Sequence, residues 1–426
     1  MSIQLISQQG NERVYQISVK FTDSMLESED LIQDAVNDLG KEATHDLLKT
    51  FDTDGTPIVL NNEKFTSKGK VEKEYQTPYG ASKVSRHVYQ RIRGGETFCP
   101  LDQKARIIIT STPRFAKQIS YKFAENASTQ VQDDLRETAN RHVSRSYLQD
   151  VADAVGTAVE AREEDWAYIP KDIKKPINHI GVGLDGTCML LCKDGYRETM
   201  VGTIALYDKQ GERLHTTYIA ASPEYGKETF KTKLSNLIED TRKRYPSANL
   251  IGIADGAKEN WNFLSQYTQE HTLDFWHATE YLSKAAEALY PRKKKDREIW
   301  FENKCHDLKH KHGAVSRIIK EVKDFSKNNK TSNPQKKKIK TFVTYFENHK
   351  HMMNYARKVK RKEPIGSGVT EAACKVIVKQ RLCKSGAKWK DRGARAVLSL
   401  RTLRYSASYW QQFWDKVTEW GFPVAA

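Results

Sequence analysis

Three acidic residues stand where a carboxylate can do chemistry. Asp185 lies inside the apolar run Gly181-Val-Gly-Leu-Asp185-Gly-Thr, and Asp255 closes another, Ile251-Gly-Ile-Ala-Asp255-Gly-Ala. A charged group inside an apolar strand needs a partner, because burial alone is costly. A strand end holds its side chain rigidly at a surface, and the glycine after each Asp leaves room for a close ligand. Two carboxylates on neighbouring strands repel each other unless a divalent cation lies between them. Hard oxygen donors with open water positions suit Mg2+ or Mn2+. Glu371 is the third candidate: Gly366-Ser-Gly-Val-Thr-Glu371 reads as a glycine-flanked turn into a helix with Glu in its first turn. The small residues Ala372, Ala373 and Cys374 would let that helix lie close to a sheet. The plainer alternatives are that each Asp caps the turn after its strand, and that Glu371 answers the helix dipole.

The elements that must position these residues follow from periodicity. Strand-like runs over residues 180–192, 199–207 and 214–220 are separated by turns at 193–195 and 208–211, which suits an antiparallel meander. A helix over 226–245 carries Phe230, Leu234, Leu237 and Ile238 on one stripe. A buried strand over 249–254, a short helix over 261–267 and a strand over 272–276 follow. The order β-β-β-α-β-α-β is an α/β core with mixed strand directions, unlike a dinucleotide-binding half. Gly181, Gly183 and Gly186 fit the G-x-G-x-x-G pattern, but that fingerprint opens a helix and this run continues as strand, so it is rejected. Residues 278–362 read as a helical insertion, with helices over 278–290, 297–326 and 339–359 and an exposed loop over 328–334. Helices continue after Gly366-Ser-Gly368 to Trp420, ended by Gly421 and Pro423.

Ahead of this core, residues 22–51 are expected as an amphipathic helix and Asp52 to Gly55 as a turn rather than a calcium loop. Residues 71–75, 85–89 and 105–109 are expected as strands. Segments 128–138 and 144–159, joined by residues 139–142, have the outline of a helix-turn-helix, which is also that of an ordinary helical hairpin. The expected organisation is an N-terminal region with strands over 1–112, a helical segment over 113–165, a catalytic core over 177–277 and 364–405, a basic helical insertion over 278–363 and a C-terminal helix over 406–426.

The charge is unevenly placed. The 426 residues hold 70 Lys and Arg against 54 Asp and Glu, a net +16. Residues 287–363 carry 23 against 9, net +14; residues 364–426 carry 11 against 4, net +7; the first 286 residues carry 36 against 41, net −5. An excess sustained over the last third points to a nucleic-acid backbone, which demands many cationic contacts. Lys293 and Lys294, in the basic run 292–295, are candidate contacts, although a single such run also suits a solvated helix face. Trp389, among Lys384, Lys388, Lys390 and Arg392, is a candidate for stacking on a base.

The 8 Trp, 19 Tyr and 15 Phe are enough to build cores and exclude wholesale disorder. No run approaches the ~18 apolar residues of a membrane span. The first residues lack the basic segment and apolar run of a secretory signal. Six scattered Cys do not make a disulfide framework, so a reducing cytosol is expected, with no membrane partner. Cys188 and Cys192 share a strand face and read as core. Cys305, His306, His310 and His312 place two histidines one helical turn apart, but neighbouring lysines oppose a cation there. Trp410, Phe413, Trp414, Val417 and Trp420 form a helical stripe suited to packing.

Asp185, Asp255 and Glu371 resemble the DDE triad of ribonuclease-H-like transposases. Asp274-Phe-Trp-His277 is similar to the D-x-x-H signature of several such families, among which an all-helical insertion between the second Asp and the Glu recurs. Gly366-Ser-Gly-Val-Thr-Glu371, with Lys384-Ser-Gly-Ala-Lys-Trp389 downstream, is similar to the ISKra-type transposases of bacterial insertion sequences. So is the stretch from Tyr75-Gln-Thr-Pro-Tyr-Gly80 to Pro100-Leu-Asp102. The resemblance covers about residues 70–405.

The resemblance implies a ribonuclease-H-like mixed sheet with a helical insertion. It implies a DNA transposase that cleaves transposon ends and joins the 3′-OH to target DNA by two-metal phosphoryl transfer. Asp185 would be shared by two Mg2+ (or Mn2+) ions, Asp255 and Glu371 would hold one each, and His277 would contact the scissile strand or brace the site. The implied partners are terminal inverted repeats, target DNA and at least a second copy of the chain, since two ends must be joined, in the bacterial cytosol at the nucleoid. Two other readings stand beside it: a ribonuclease-H-fold nuclease or resolvase that cuts without joining, and a non-catalytic DNA-binding regulator.

Overall fold

The computed structural model describes residues 3–60, 62–162, 165–170, 173–327 and 331–422. The chain is mixed α/β with three sheets among the described residues. It divides into two compact units: residues 1–168 with 392–404 and 409–426, and residues 169–391 with 405–408.

The first unit opens with a hairpin absent from the sequence expectations, β1 (Ile3–Gln9) and β2 (Glu12–Ile17). Helix α1 (Met25–Thr50) follows, its Ser24 cap accepting from the Glu27 amide. An antiparallel sheet contains β3 (Ile58–Leu60), β4 (Glu63–Gln76), β5 (Ala81–Arg91) and β6 (Thr97–Phe98). Tyr75 and Val84 turn inward to meet Leu48 and Leu101, the latter on α2 (Pro100–Lys104). The strand expected over 105–109 is instead a turn. Arg106 and Ile109 take φ of 57° and 61°, and Ile108 and Ser111 exchange backbone hydrogen bonds.

Helices α3 (Pro113–Phe123), α4 (Ser128–Ala139) and α5 (Arg145–Ala161) complete the N-terminal part. Asn140, at φ 48°, ends α4 and makes the expected tight turn. However, α5 buries Leu148, Val151, Ala152, Val155, Gly156, Ala158 and Val159. Its exposed residues are Arg145, Ser146, Gln149 and Asp150 at its start and Ala161 at its end.

The second unit is built on a five-stranded sheet. β7 (His179–Leu191), β8 (Gly195–Tyr207) and β9 (Arg213–Ala221) form the expected antiparallel meander. After α6 (Glu228–Arg244), β10 (Asn249–Ala254) pairs parallel with β7; after α7 (Lys258–Tyr267), β11 (Glu270–Leu273) pairs parallel with β10. The order across the sheet is β11-β10-β7-β8-β9. Ile180, Val182, Leu184 and Ile204 pack under Phe230, Leu234 and Ile238 of α6 and Leu264 of α7. The last strand ends at Leu273 rather than 276, because Asp274 caps the helix that follows.

That helix, α8 (Phe275–Leu289), opens the insertion, which continues as α9 (Lys294–His310), α10 (Ala314–Ser326), α11 (Asn333–His349) and α12 (Tyr355–Lys360). Leu282, Trp300, Ile318, Phe342 and Phe346 form its core. The single helix expected over 297–326 is broken at Gly313, whose φ of +71° no helix interior tolerates. Of the loop expected over 328–334, residues 328–330 lie outside the described residues, and Asn333 and Pro334 already begin α11.

Helix α13 (Gly368–Ala373) runs through a π-turn over Cys374–Lys379 into α14 (Gln380–Leu382). The chain ends with α15 (Asp391–Tyr405) and α16 (Tyr409–Trp420), the latter stopped at Gly421 with φ +93°. Residues 392–404, expected in the core, belong to the first unit. Cys188 and Cys192 are exposed rather than buried. They share a face as expected, but along β7 it is Thr187, Met189 and Leu191 that turn inward. No helix among the described residues is long and apolar enough to cross a membrane.

Candidate active site

The sheet register brings the first two carboxylates together. Ile253 of β10 lies beside Gly183 of β7 in parallel pairing. β10 ends at Ala254, so Asp255 leaves the sheet beside β7, near enough for its charge to act on Asp185. The Asp185 carboxyl is raised above the usual carboxylate range, first by burial and then by the negative charge of Asp255. Hydrogen bonds from the Gly186 amide (2.7 Å to Oδ1) and the Cys374 thiol (3.6 Å to Oδ2), and the charge of His277, pull the other way. Asp255 turns the chain into α7: its Oδ1 accepts from the Ala257 amide at 3.0 Å and from Asn260 Nδ2 at 3.2 Å.

Glu371 reaches the same face because α13 lies directly on the sheet. Thr370 Oγ1 is 2.7 Å from Thr203 Oγ1 of β8, and both threonines are buried. A Cβ at Gly183 would stand 2.1 Å from Thr370 Oγ1, so only glycine admits this approach. Gly183 and Asp185 are two apart on β7 and share a face. Thr370 covers the first and Cys374 contacts the second, so both turn toward the sheet, while Glu371, next along the helix, is exposed and meets Ser367 and His277. Burial pushes the Cys374 thiol up, and the charge of Asp185 adds to this.

A fourth acid organises the site, and the sequence reading quoted it without assigning it a role. Asp274 is fully buried and caps α8. Its Oδ2 accepts from the His277 amide at 3.0 Å and from His277 Nδ1 at 2.7 Å; its Oδ1 accepts from the Ser367 amide at 2.8 Å. Burial works to raise the Asp274 carboxyl, but these bonds outweigh it and hold it low. The Asp274 hydrogen bond lifts the His277 imidazole to about 9, against partial burial. His277 Nδ1 also stands 3.7 Å from Glu371 Oε1, which accepts from Ser367 Oγ at 2.8 Å. The usable signal was the spacing: an Asp three residues before His at a strand-to-helix junction is an N-cap pattern.

Among the described residues, the group of potential ligands that lies mutually within 4.8 Å is Asp274, His277 and Glu371. Its chemistry does not fit a metal: Asp274 is saturated by amide and imidazole donors, and His277 is cationic at neutral pH. Asp185, Asp255 and Glu371 offer oxygen donors alone, spread more widely than that group.

The expected DNA contacts fall in different settings. Lys293 and Lys294, at the start of α9, are 73% and 80% exposed, with Asp296 and Glu298 at 3.5 and 3.9 Å. Trp389 is anchored: its amide donates to the Leu190 carbonyl, its carbonyl accepts from the Cys192 amide, and its indole N–H donates to the Leu382 carbonyl at 2.9 Å. The Arg381 guanidinium lies 4.9 Å from its ring centre. Trp389 thus ties the segment after α14 to the end of β7, with its ring donor already used. Lys384 and Lys388 are exposed beside it. Arg392 belongs to the first unit, where its charge lowers the Asp153 carboxyl against the larger effect of burial. No protein-family model matches the chain, and no curated protein matches it.

Proposed function

We propose that this protein is a divalent-metal-dependent DNA phosphoryl transferase, a DDE-type transposase on a ribonuclease-H-like core. One observation carries the reading. Asp185 lies on β7 and Asp255 directly follows β10, the parallel strand beside it in a five-stranded mixed sheet, and the helix bearing Glu371 is packed on the sheet face that carries Asp185. Burial, and after it the charge of Asp255, raise Asp185, and a cation would relieve both. Asp185 would be shared by two Mg2+ or Mn2+ ions, with Asp255 and Glu371 each holding one; bound there, the ions would activate the attacking oxygen and stabilise the leaving 3′ oxygen. The β-β-β-α-β-α-β order and the helical insertion after the second Asp agree with the family resemblance.

The chain's own groups supply the rest. Asn260 and the Ala257 amide fix the Asp255 carboxylate, Gly186 and Cys374 fix Asp185, and Ser367 fixes Glu371. His277 places a cation beside Glu371, suited to a phosphate oxygen. The insertion presents exposed Lys293, Lys294, Lys336, Lys337 and Lys340, and its net +14 suits phosphate contacts along DNA.

The test is Mn2+- or Mg2+-dependent nicking of supercoiled plasmid by wild type and by Asp185→Asn, Asp255→Asn and Glu371→Gln. Each variant should lose nicking and keep plasmid binding; full nicking by any of the three would remove the assignment. Joined products in the same reaction identify a transposase, and cut products alone a nuclease. Plasmid binding by a wild type inert with both metals would leave a DNA-binding regulator.

A further inference from the structure

We infer that Asp274 is a positioning residue that locks the second and third carboxylates of this centre into one frame; the inference rests on the phosphoryl-transfer reading above. Its backbone amide donates to the Ala254 carbonyl at 2.9 Å, one residue before Asp255. Its Oδ1 takes the Ser367 amide, and the Ser367 hydroxyl in turn holds Glu371. Its Oδ2 takes both the amide and Nδ1 of His277, whose ring nitrogen lies between Asp274 and Glu371. One fully buried side chain therefore reaches Glu371 by two routes, and its own backbone is tied to the strand that delivers Asp255.

The surroundings are shaped for this. A Cβ at Gly366 would lie 3.3 Å from Asp274 Oδ1, so the glycine lets the 366–368 loop close down on the carboxylate. A buried carboxylate is expensive unless every lone pair is used, and Asp274 accepts three hydrogen bonds, each from an element that carries or braces a site residue. A plain helix cap needs only the His277 amide. The bonds to Ser367 N and His277 Nδ1 go beyond capping, and both lead to Glu371.

The experiment compares single-turnover Mn2+-dependent nicking of supercoiled plasmid, and plasmid affinity, for wild type, Asp274→Asn, His277→Asn, His277→Ala and the Asp274→Asn/His277→Ala double variant. An asparagine at 274 keeps the size but has only one acceptor oxygen. Loss of an outer positioning contact is worth about 10–100-fold. Asp274→Asn should slow nicking by that factor with plasmid affinity within about 3-fold. Because part of the effect runs through His277, the double variant should be slower than His277→Ala by much less than Asp274→Asn is slower than wild type. His277→Asn, which can still donate an N–H to Asp274, should nick faster than His277→Ala. That comparison still tests the relay if Asp274→Asn fails to fold.

Wild-type nicking rates in Asp274→Asn, fully multiplicative losses in the double variant, or equal rates in the two His277 variants would overturn the inference. Failure of the underlying reading looks different: the wild type itself does not nick.

Discussion

Replacing Gly183 with alanine should uncouple Glu371 from the other two carboxylates without touching any of them. The added methyl would lie 2.1 Å from Thr370 Oγ1 and 3.1 Å from Thr203 Oγ1. Ordinary contact begins near 3.4 Å, so the nearer pair must separate by about 1.3 Å. Thr370 cannot swing aside easily: it is β-branched and buried, and its hydroxyl is hydrogen-bonded to Thr203. The strain therefore falls on α13, and Glu371 is the next residue along. Overpacking of this kind costs about 1–3 kcal/mol of stability. A displacement of about 1 Å at a reacting centre costs about 100-fold in rate. Gly183→Ala should fold, bind plasmid like wild type and nick about 100-fold more slowly. Adding Thr370→Ala removes the clashing oxygen at the loss of one hydrogen bond, worth about 1 kcal/mol, and should recover much of the rate. Single-turnover nicking and urea denaturation read both effects. A Gly183→Ala protein of wild-type rate, or a double variant no faster than Gly183→Ala, would refute the close-packing argument.

Other consequences are as direct. His277, lifted to about 9 in the folded chain from a reference of 6.5, contributes stability fully below about pH 6.5 and loses it as pH rises through 9. The unfolding free-energy difference between wild type and His277→Asn should therefore fall from pH 6 to 10, and a flat difference would contradict the Asp274 pairing. Changing both Lys293 and Lys294 to alanine should weaken plasmid binding and flatten its log–log salt dependence by up to about 1.8, at about 0.9 per phosphate contact; an unchanged slope would place the DNA elsewhere. In the first unit Arg401 is fully buried and bonded to the Ala124 carbonyl at 2.5 Å and Glu125 at 3.0 Å. Breaking a buried ion pair costs about 3–5 kcal/mol, so Arg401→Ala should lower unfolding stability by that order without changing nicking by the folded protein.

What was legible in the sequence follows a physical divide. The sheet of the second unit was readable because its strands carry apolar runs and its turns carry Asp-Gly or Gly, so both pattern and punctuation point one way. Asp185 and Asp255 stood out as charges against that apolar background. The hairpin β1–β2 was missed because all its residues are exposed or half-buried, so no apolar run marks it. Residues 105–109 looked like a strand because Ile107, Ile108 and Ile109 are β-branched; two left-handed residues, neither of them glycine, decide otherwise. Asp274 carried no apolar contrast of its own, since it sits at a boundary where an acidic cap is ordinary. Its importance lies in partners 93 residues away in sequence, which no local pattern can show. Trp389 also has partners that no local pattern shows: the Leu382 carbonyl takes its indole donor and Arg381 lies over its ring.

The insertion explains how a site can be assembled from residues so far apart in sequence. Between Asp274 and Glu371 the chain runs through helices α8 to α12, yet the path leaves and returns at one point. The Phe275 amide, the first of α8, donates to the Ile365 carbonyl at 3.0 Å, and the buried Tyr355 hydroxyl donates to the Leu273 carbonyl at 2.9 Å. These bonds clamp the two ends of the insertion beside Asp274. Once the ends are clamped, the length of chain between them adds closure entropy only logarithmically, and its helices build an apolar core that Leu273 of β11 joins. On the proposed reading, the net +14 of the insertion would meet DNA phosphates. The same clamp means that excising residues 292–362 would remove Tyr355 and disturb the site from below. Charge substitutions at α9, rather than deletion, are the perturbation that separates DNA binding from catalysis.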